Sequence, residues 1–244
     1  PDTKELLPKI PEKSAENRRK IAKEKEIAIL KGVSSKEYGA TYLLHEVQLR
    51  MSLGEDLMRA FGNSGKIILA AAMAYLMEPG AFRNIDSTLE RTYIREFYDL
   101  RASMDSGTLS DFTRNLGEKA MNIDRFFELR VKGSNGLVAW DTTTNGTYSE
   151  LDQMAEYVVN NKDGEDIKQT KTGFATDMRG IPLMFRHYPG TISDIATVDR
   201  MVSDIERYGK KDALFVFDRG FVSGANVKHL LDKGIRFTAP ANTS

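Results

Sequence analysis

At Gly133-Ser-Asn-Gly136 the hydrophobic period of this chain switches from helical to strand-like, and that switch divides what the chain can fold into. Upstream, residues 38–132 read as helices throughout. Tyr42, Leu43, Leu44, Val47 and Met51 mark an apolar face on the first of them. Ser52-Leu-Gly-Glu55 and Ser87-Thr-Leu-Glu90 carry the spacing of a capping box, in which serine and glutamate satisfy each other's helix-end amides. Helices are expected from Leu53 to Phe61, ending at Gly62, and from Ile67 to Met77, stopped by Pro79-Gly80. Thr108-Leu-Ser-Asp111 opens another, and Ile123 to Val131 closes an all-α region.

Downstream, Leu137-Val-Ala-Trp140 reads as a buried strand with Asp141 at its exit. Residues 149–166 are polar and read as a loop or short helix. Asp166 to Asp177 and Ile181 to Tyr188 form two strands of a hairpin through Met178-Arg-Gly180. A helix from Ile195 to Tyr208 takes Ser193 or Asp194 as its cap. Ala213-Leu-Phe-Val-Phe217 is a strand with Asp218 at its exit, followed by a helix over 223–233 and a strand from Ile235 to Ala239. The order β-β-β-α-β-α-β predicts a mixed sheet with helices packed on it.

Composition removes several chemistries. There is no cysteine, so disulfide scaffolds, thiolate zinc sites and cysteine nucleophiles are excluded. His45, His187 and His229 lie far apart and lack metal-site spacing. The 35 basic and 35 acidic residues cancel, and the split at 136 is only +2 against −2, so charge carries no nucleic-acid signature. The longest apolar run, Ile67 to Met77, has 11 residues. A membrane span needs about 20, so none is expected. The first residues hold no hydrophobic signal region, so secretion is not indicated either. Residues 1–37 form a charged arm, with Pro8 and Pro11 near its start. Its Ser14 to Leu30 stretch has a thin stripe of Ile21, Ala22, Ile27 and Ile29, and reads as a solvated helix or mobile arm; the alternative is an arm lying on DNA phosphates.

Asp141 and Asp218 repeat one arrangement, a hydrophobic strand followed by a carboxylate. On neighbouring parallel strands both acids would emerge at one edge, the crevice where such sheets bind ligands. Close carboxylates repel unless a cation lies between them. Mg²⁺ or Mn²⁺ suits that place, and two such ions about 4 Å apart activate water and stabilise the leaving oxygen of a phosphodiester. Against this stands the common use of aspartate after a strand as a plain turn residue or cap. Arg219, Lys171 and Thr142 are the candidates for DNA contact, each with a local alternative: a surface ion pair, an aggregation-blocking lysine on an edge strand, a hydrogen bond at a strand end. Trp140 reads as core and His187 as structural.

Three stretches carry a resemblance: Leu137-Val-Ala-Trp-Asp-Thr-Thr143, Gly180 through Asp194, and Ala213-Leu-Phe-Val-Phe-Asp-Arg-Gly-Phe-Val-Ser223 continuing into Leu230-Leu-Asp-Lys-Gly-Ile-Arg-Phe237. Gly39-Ala-Thr-Tyr-Leu-Leu44 and Lys66-Ile-Ile-Leu69 add to it. From residue 39 onward the chain resembles the DDE transposases of bacterial insertion sequences, the cut-and-paste group. The resemblance implies an α/β mixed-sheet ribonuclease H-like domain over 137–244, incomplete at its C-terminus, preceded by an all-α DNA-binding region over 38–132. It implies that Asp141 and Asp218 are catalytic metal ligands for two Mg²⁺ (or Mn²⁺) ions. It further implies double-stranded DNA (terminal inverted repeats and target) as partner, self-association on DNA, and a bacterial cytoplasmic, nucleoid-associated location.

The family's third acid is a glutamate in a Tyr-x2-Arg-x3-Glu-x6-Lys signature, which does not occur before Ser244; Glu150, Asp177 and Glu206 all precede the second aspartate. The expectation is therefore an N-terminal portion that holds metal weakly and does not cut DNA unaided. The alternatives are a DNA-binding remnant or inhibitor without catalysis, and a host nuclease of the same fold.

Overall fold

The computed structural model describes residues 12–32, 35–158 and 167–240, with side chains left out at 12–15 and 28–32. Pro8 and Pro11 of the expected arm, the side chain of Ile29 and the expected strand start at Asp166 lie outside the described residues. Among those described, the helical part comprises α1 (Glu12–Gly32), α2 (Gly39–Arg50), α3 (Leu53–Phe61), α4 (Ser64–Met77), α5 (Arg83–Arg91), α6 (Ile94–Tyr98), α7 (Ser106–Gly117) and α8 (Ala120–Gly133). The rest comprises β1 (Leu137–Thr147), β2 (Glu156–Tyr157), β3 (Lys168–Thr176), β4 (Pro182–Pro189), α9 (Asp194–Arg207), β5 (Leu214–Phe217), α10 (Gly224–Asp232) and β6 (Arg236–Thr238).

The helical region forms because its apolar residues meet at one centre. Leu57, Leu69, Ala70, Met73, Ile85, Leu89, Ile94 and Leu109 build that core. Its helix starts differ from those expected. Ser52 precedes α3 in the left-handed region (φ 53°) and makes no side-chain cap bond; a capping box needs an extended N-cap. The Gly54 amide donates instead to Oε1 of buried Gln48 at 3.1 Å. Ser87 and Glu90 lie inside α5, where the Ser87 hydroxyl donates to the Asn84 carbonyl at 2.9 Å. The α7 helix begins before Thr108, capped by Asp105, whose carboxylate accepts from the Thr108 amide at 3.0 Å. On α2 the expected apolar face is largely open, with Tyr42, Leu43 and Val47 exposed and Thr41 and Gln48 buried in their place. α5 lies beside the short contact of Glu37 with Thr92, where the Glu37 amide donates to the Arg91 carbonyl at 2.7 Å.

The strands make one mixed sheet ordered β2-β3-β1-β5-β6, with β4 also paired to β3. β3 runs antiparallel to β1 and β4; β5 runs parallel to β1, and β6 parallel to β5. A hairpin followed by helix-linked parallel strands is the mixed α/β sheet expected from the sequence. The hairpin turn falls at Asp177–Ile181, where the Asp177 amide donates to the Ile181 carbonyl at 2.9 Å. Two expectations change. β3 is an interior strand, so Lys168 and Lys171 do not guard an edge. β1 does not stop at Trp140 but continues to Thr147, because β3 pairs with it over that whole length. Within the expected loop, Glu156–Tyr157 adds a short strand to β3.

One face of the sheet is closed by α9. Trp140, Val138, Phe215 and Phe217 pack there with Val198, Met201, Val202 and Ile205. The indole of Trp140 lies across Gly173, where an added β-carbon would meet its Cζ2 atom at 2.2 Å. Helix α8 joins the two cores: Phe127 and Val131 belong to that of the sheet, while Phe126 packs against both.

Candidate active site

The parallel register of β1 with β5 pairs Leu137 with Leu214 and ends with Trp140 beside Phe217. Asp141 and Asp218 are the next residues on each strand, and Asp218 keeps an extended backbone (φ −75°, ψ 165°). Adjacent strands lie about 4.8 Å apart, so this register sets the two carboxylates side by side. Alternation turns both away from the face that buries Trp140 and Phe217, and both are exposed. The sequence condition of neighbouring parallel strands is met. Asp141, however, sits inside β1, at the rung where β5 stops and only β3 continues as its neighbour.

Each carboxylate is oriented by the amide that follows it. Asp141 Oδ1 accepts from the Thr142 amide at 2.8 Å, and Asp218 Oδ1 from the Arg219 amide at 2.6 Å. The second oxygen of each remains available to a further ligand. The donor set is two hard carboxylates open to solvent, which fits a divalent oxygen-seeking ion that takes one or two protein carboxylates and fills its shell with water and phosphate. Among the described residues no group of three or more His, Cys, Asp or Glu side chains is assembled for a metal. Glu150, Asp177 and Glu206 thus do not join the pair. Asp177 is buried and bound to Arg179, whose Nη2 lies 2.8 Å from it, in the hairpin turn.

The remaining sequence candidates surround this pair in different ways. Thr142 turns to the opposite side of β1 and donates its hydroxyl to Asp194 Oδ1 at 2.7 Å. The Lys171 ammonium donates to the same oxygen at 2.8 Å and to the Ile192 carbonyl at 2.7 Å. Its charge is therefore engaged within the protein rather than offered outward. Arg219 is exposed and opens a 3-10 turn, Arg219–Phe221, whose Phe221 anchors in the core. Trp140 is core as expected, its indole N–H donating to Thr197 at 3.1 Å. His187 pairs through Nδ1 with the Thr172 hydroxyl at 3.0 Å.

Asp194 is the residue the sequence reading did not place in the site. An acid in the first turn of a helix reads equally well as a cap or a complement to the helix dipole. Only the fold, by bringing β1, β3 and the start of α9 together, gives it these partners.

With this geometry, comparison with known proteins is informative about the sheet half of the chain. Residues 133–244 match the family model described as a transposase DDE domain. No curated protein matches the chain. Among solved structures, similarity is found to a Mos1 transposase paired-end complex with the left transposon end, at 12% identity and a TM-score of 0.30, covering 73% of this chain and 58% of that one. A pre-cleavage Mos1 transpososome is matched at 12% identity and a TM-score of 0.30, covering 76% of this chain and 60% of that chain. The chain thus spans under two thirds of the length of these structures. No helix among the described residues is long and apolar enough to cross a membrane.

Proposed function

We propose that the chain is part of a DNA transposase whose Asp141 and Asp218 hold Mg²⁺ or Mn²⁺, as two ions, for phosphodiester cleavage and strand transfer. The observation that carries this reading is the parallel register of β1 and β5, which ends at Trp140 beside Phe217 and brings the two carboxylates side by side. When bound, the metal supplies Lewis-acid activation of a phosphate oxygen and a nucleophile at neutral pH. The protein's own contribution is positional. The amides of Thr142 and Arg219 fix the carboxylates. In this reading Arg219, exposed beside Asp218, meets a DNA phosphate.

Double-stranded DNA is the partner in this reading, as element ends and as target, with self-association on it. The open carboxylate pair repels phosphate until a cation neutralises it, so DNA affinity depends on metal. With two protein carboxylates, residues 1–244 hold the ion weakly and do not cut DNA by themselves. The test is binding of duplex DNA in Mn²⁺ against chelator. Wild type binds more tightly with Mn²⁺, and Asp141→Asn combined with Asp218→Asn loses that gain. Equal DNA affinity with and without Mn²⁺ in the wild type contradicts the reading and leaves a DNA-binding remnant.

A further inference from the structure

Three elements are tied together by one side chain. Asp194 opens α9 and takes the Thr142 hydroxyl of β1 and the Lys171 ammonium of β3 on a single oxygen, Oδ1. Its other oxygen, Oδ2, lies 3.8 Å from where a β-carbon would sit on Gly220, in the turn that follows Asp218. Its backbone carbonyl accepts from the Thr197 hydroxyl at 2.7 Å, and Thr197 in turn receives the Trp140 indole. Both residues flanking Asp141 on β1, Trp140 and Thr142, are therefore held from the first turn of α9.

This matters at this rung because β1 loses β5 as a neighbour just beyond Trp140. From there one edge of the strand has no ladder to hold its twist. A side-chain clip on Thr142 replaces the missing partner at the residue whose amide orients Asp141. Lys171 has a separate task. It is mostly buried (13% exposed), and its charge balances that of Asp194, so the clip does not add an uncompensated negative charge behind the two open carboxylates.

We infer that Asp194 is a positioning residue of the site: through Thr142 and the turn at Gly220 it sets Asp141 and Asp218 in register, with Lys171 as its counter-charge. The inference rests on the metal-binding reading for its purpose, but its structural content is tested without metal. Asp194 touches neither substrate nor metal in this account; it acts through residues that orient the ligands.

The experiment compares wild type, Asp194→Ala, Asp194→Asn and Thr142→Val by amide hydrogen exchange and by Mn²⁺ titration. Asp194→Ala and Thr142→Val lose protection at the Thr142 amide, while core amides of Val138 and Phe215 stay protected. Asp194→Asn keeps an acceptor for Thr142 and retains most of that protection. Mn²⁺ affinity falls by about 10- to 100-fold in Asp194→Ala, the range expected when the partner that orients a ligand is removed. Unchanged protection at Thr142 overturns the inference whether or not metal binds. Equal loss of protection across all core amides also overturns it, since Asp194 is then only a general stabiliser. Failure of the wild type to bind Mn²⁺ defeats the metal reading instead, and leaves the exchange result to decide the positioning role.

Discussion

A β-carbon at position 173 has no room, because the Trp140 ring occupies the place it would take. Gly173→Ala forces either the indole or β3 to move, and overpacking of this kind costs about 1–3 kcal/mol. The displaced indole also leaves the Thr197 hydroxyl, so the loss is felt beside Asp194 as well as in the core. Urea unfolding of the variant measures the cost; a stability equal to wild type contradicts the packing described. Asp105 gives a different test. The Thr108 amide first, then the Ser103 and Thr108 hydroxyls, hold its carboxyl down to about 2. A depressed carboxyl stabilises above its unfolded value, near 3.9, and that stabilisation disappears as pH falls through about 2. Asp105→Asn accordingly shows a smaller drop in melting temperature than wild type between about pH 4 and pH 2. An identical drop removes the cap from the account.

At the scale of elements, two ion pairs made by α8 differ in weight. Arg130 on α8 is buried, and its Nη1 donates to Asp56 of α3 at 2.9 Å and to the Met51 carbonyl at 2.6 Å. Arg130→Ala leaves a buried carboxylate without its partner, a loss of about 3–5 kcal/mol. Arg207 at the end of α9 reaches Asp124 of α8 at 3.0 Å with both side chains about half exposed. Arg207→Ala therefore costs only about 0–1 kcal/mol. Denaturant melts of the two variants decide the ranking, and a reversed order refutes it.

The elements themselves were readable in the sequence where period and punctuation agreed. α3 starts and stops at the expected residues because Gly62, at φ 60°, ends it. β5 and its terminal aspartate were plain because five apolar residues in a row leave little else. The capping boxes misled because their spacing is local: Ser87 falls inside α5, whose Ile85 and Leu89 are buried, and beside Ser52 the Gly54 amide is taken by Gln48 instead. The extent of β1 was hidden because Thr142 to Thr147 is polar and becomes a strand only through pairing with β3. Asp141 and Asp218 were legible as a repeated pattern. Asp194 was not, since its partners come from strands far away in sequence.

Across the whole molecule, α8 couples two cores, one with a half-buried tyrosine against it and one with a buried tyrosine within it. Tyr98 packs against the helical core and Tyr188 lies in that of the sheet. Burial pushes both hydroxyls up to about 12. A raised phenol stabilises the fold below its unfolded value of 10.0, and that stability is lost as pH rises towards about 12. With Phe126 of α8 packed against both cores, phenolate absorbance and helical ellipticity change together in this window. Two separate steps contradict a shared α8 core.

The central claim is that Asp141 and Asp218 together make a divalent-metal site. Titration of Mn²⁺ followed by electron paramagnetic resonance tests it most directly, on wild type, Asp141→Asn and Asp218→Asn, with Asp177→Asn as a control carboxylate in the hairpin. The account predicts that wild type and Asp177→Asn bind Mn²⁺ alike and that either single change in the pair abolishes it. Binding that persists unchanged in Asp141→Asn and Asp218→Asn, or is missing from the wild type, contradicts it.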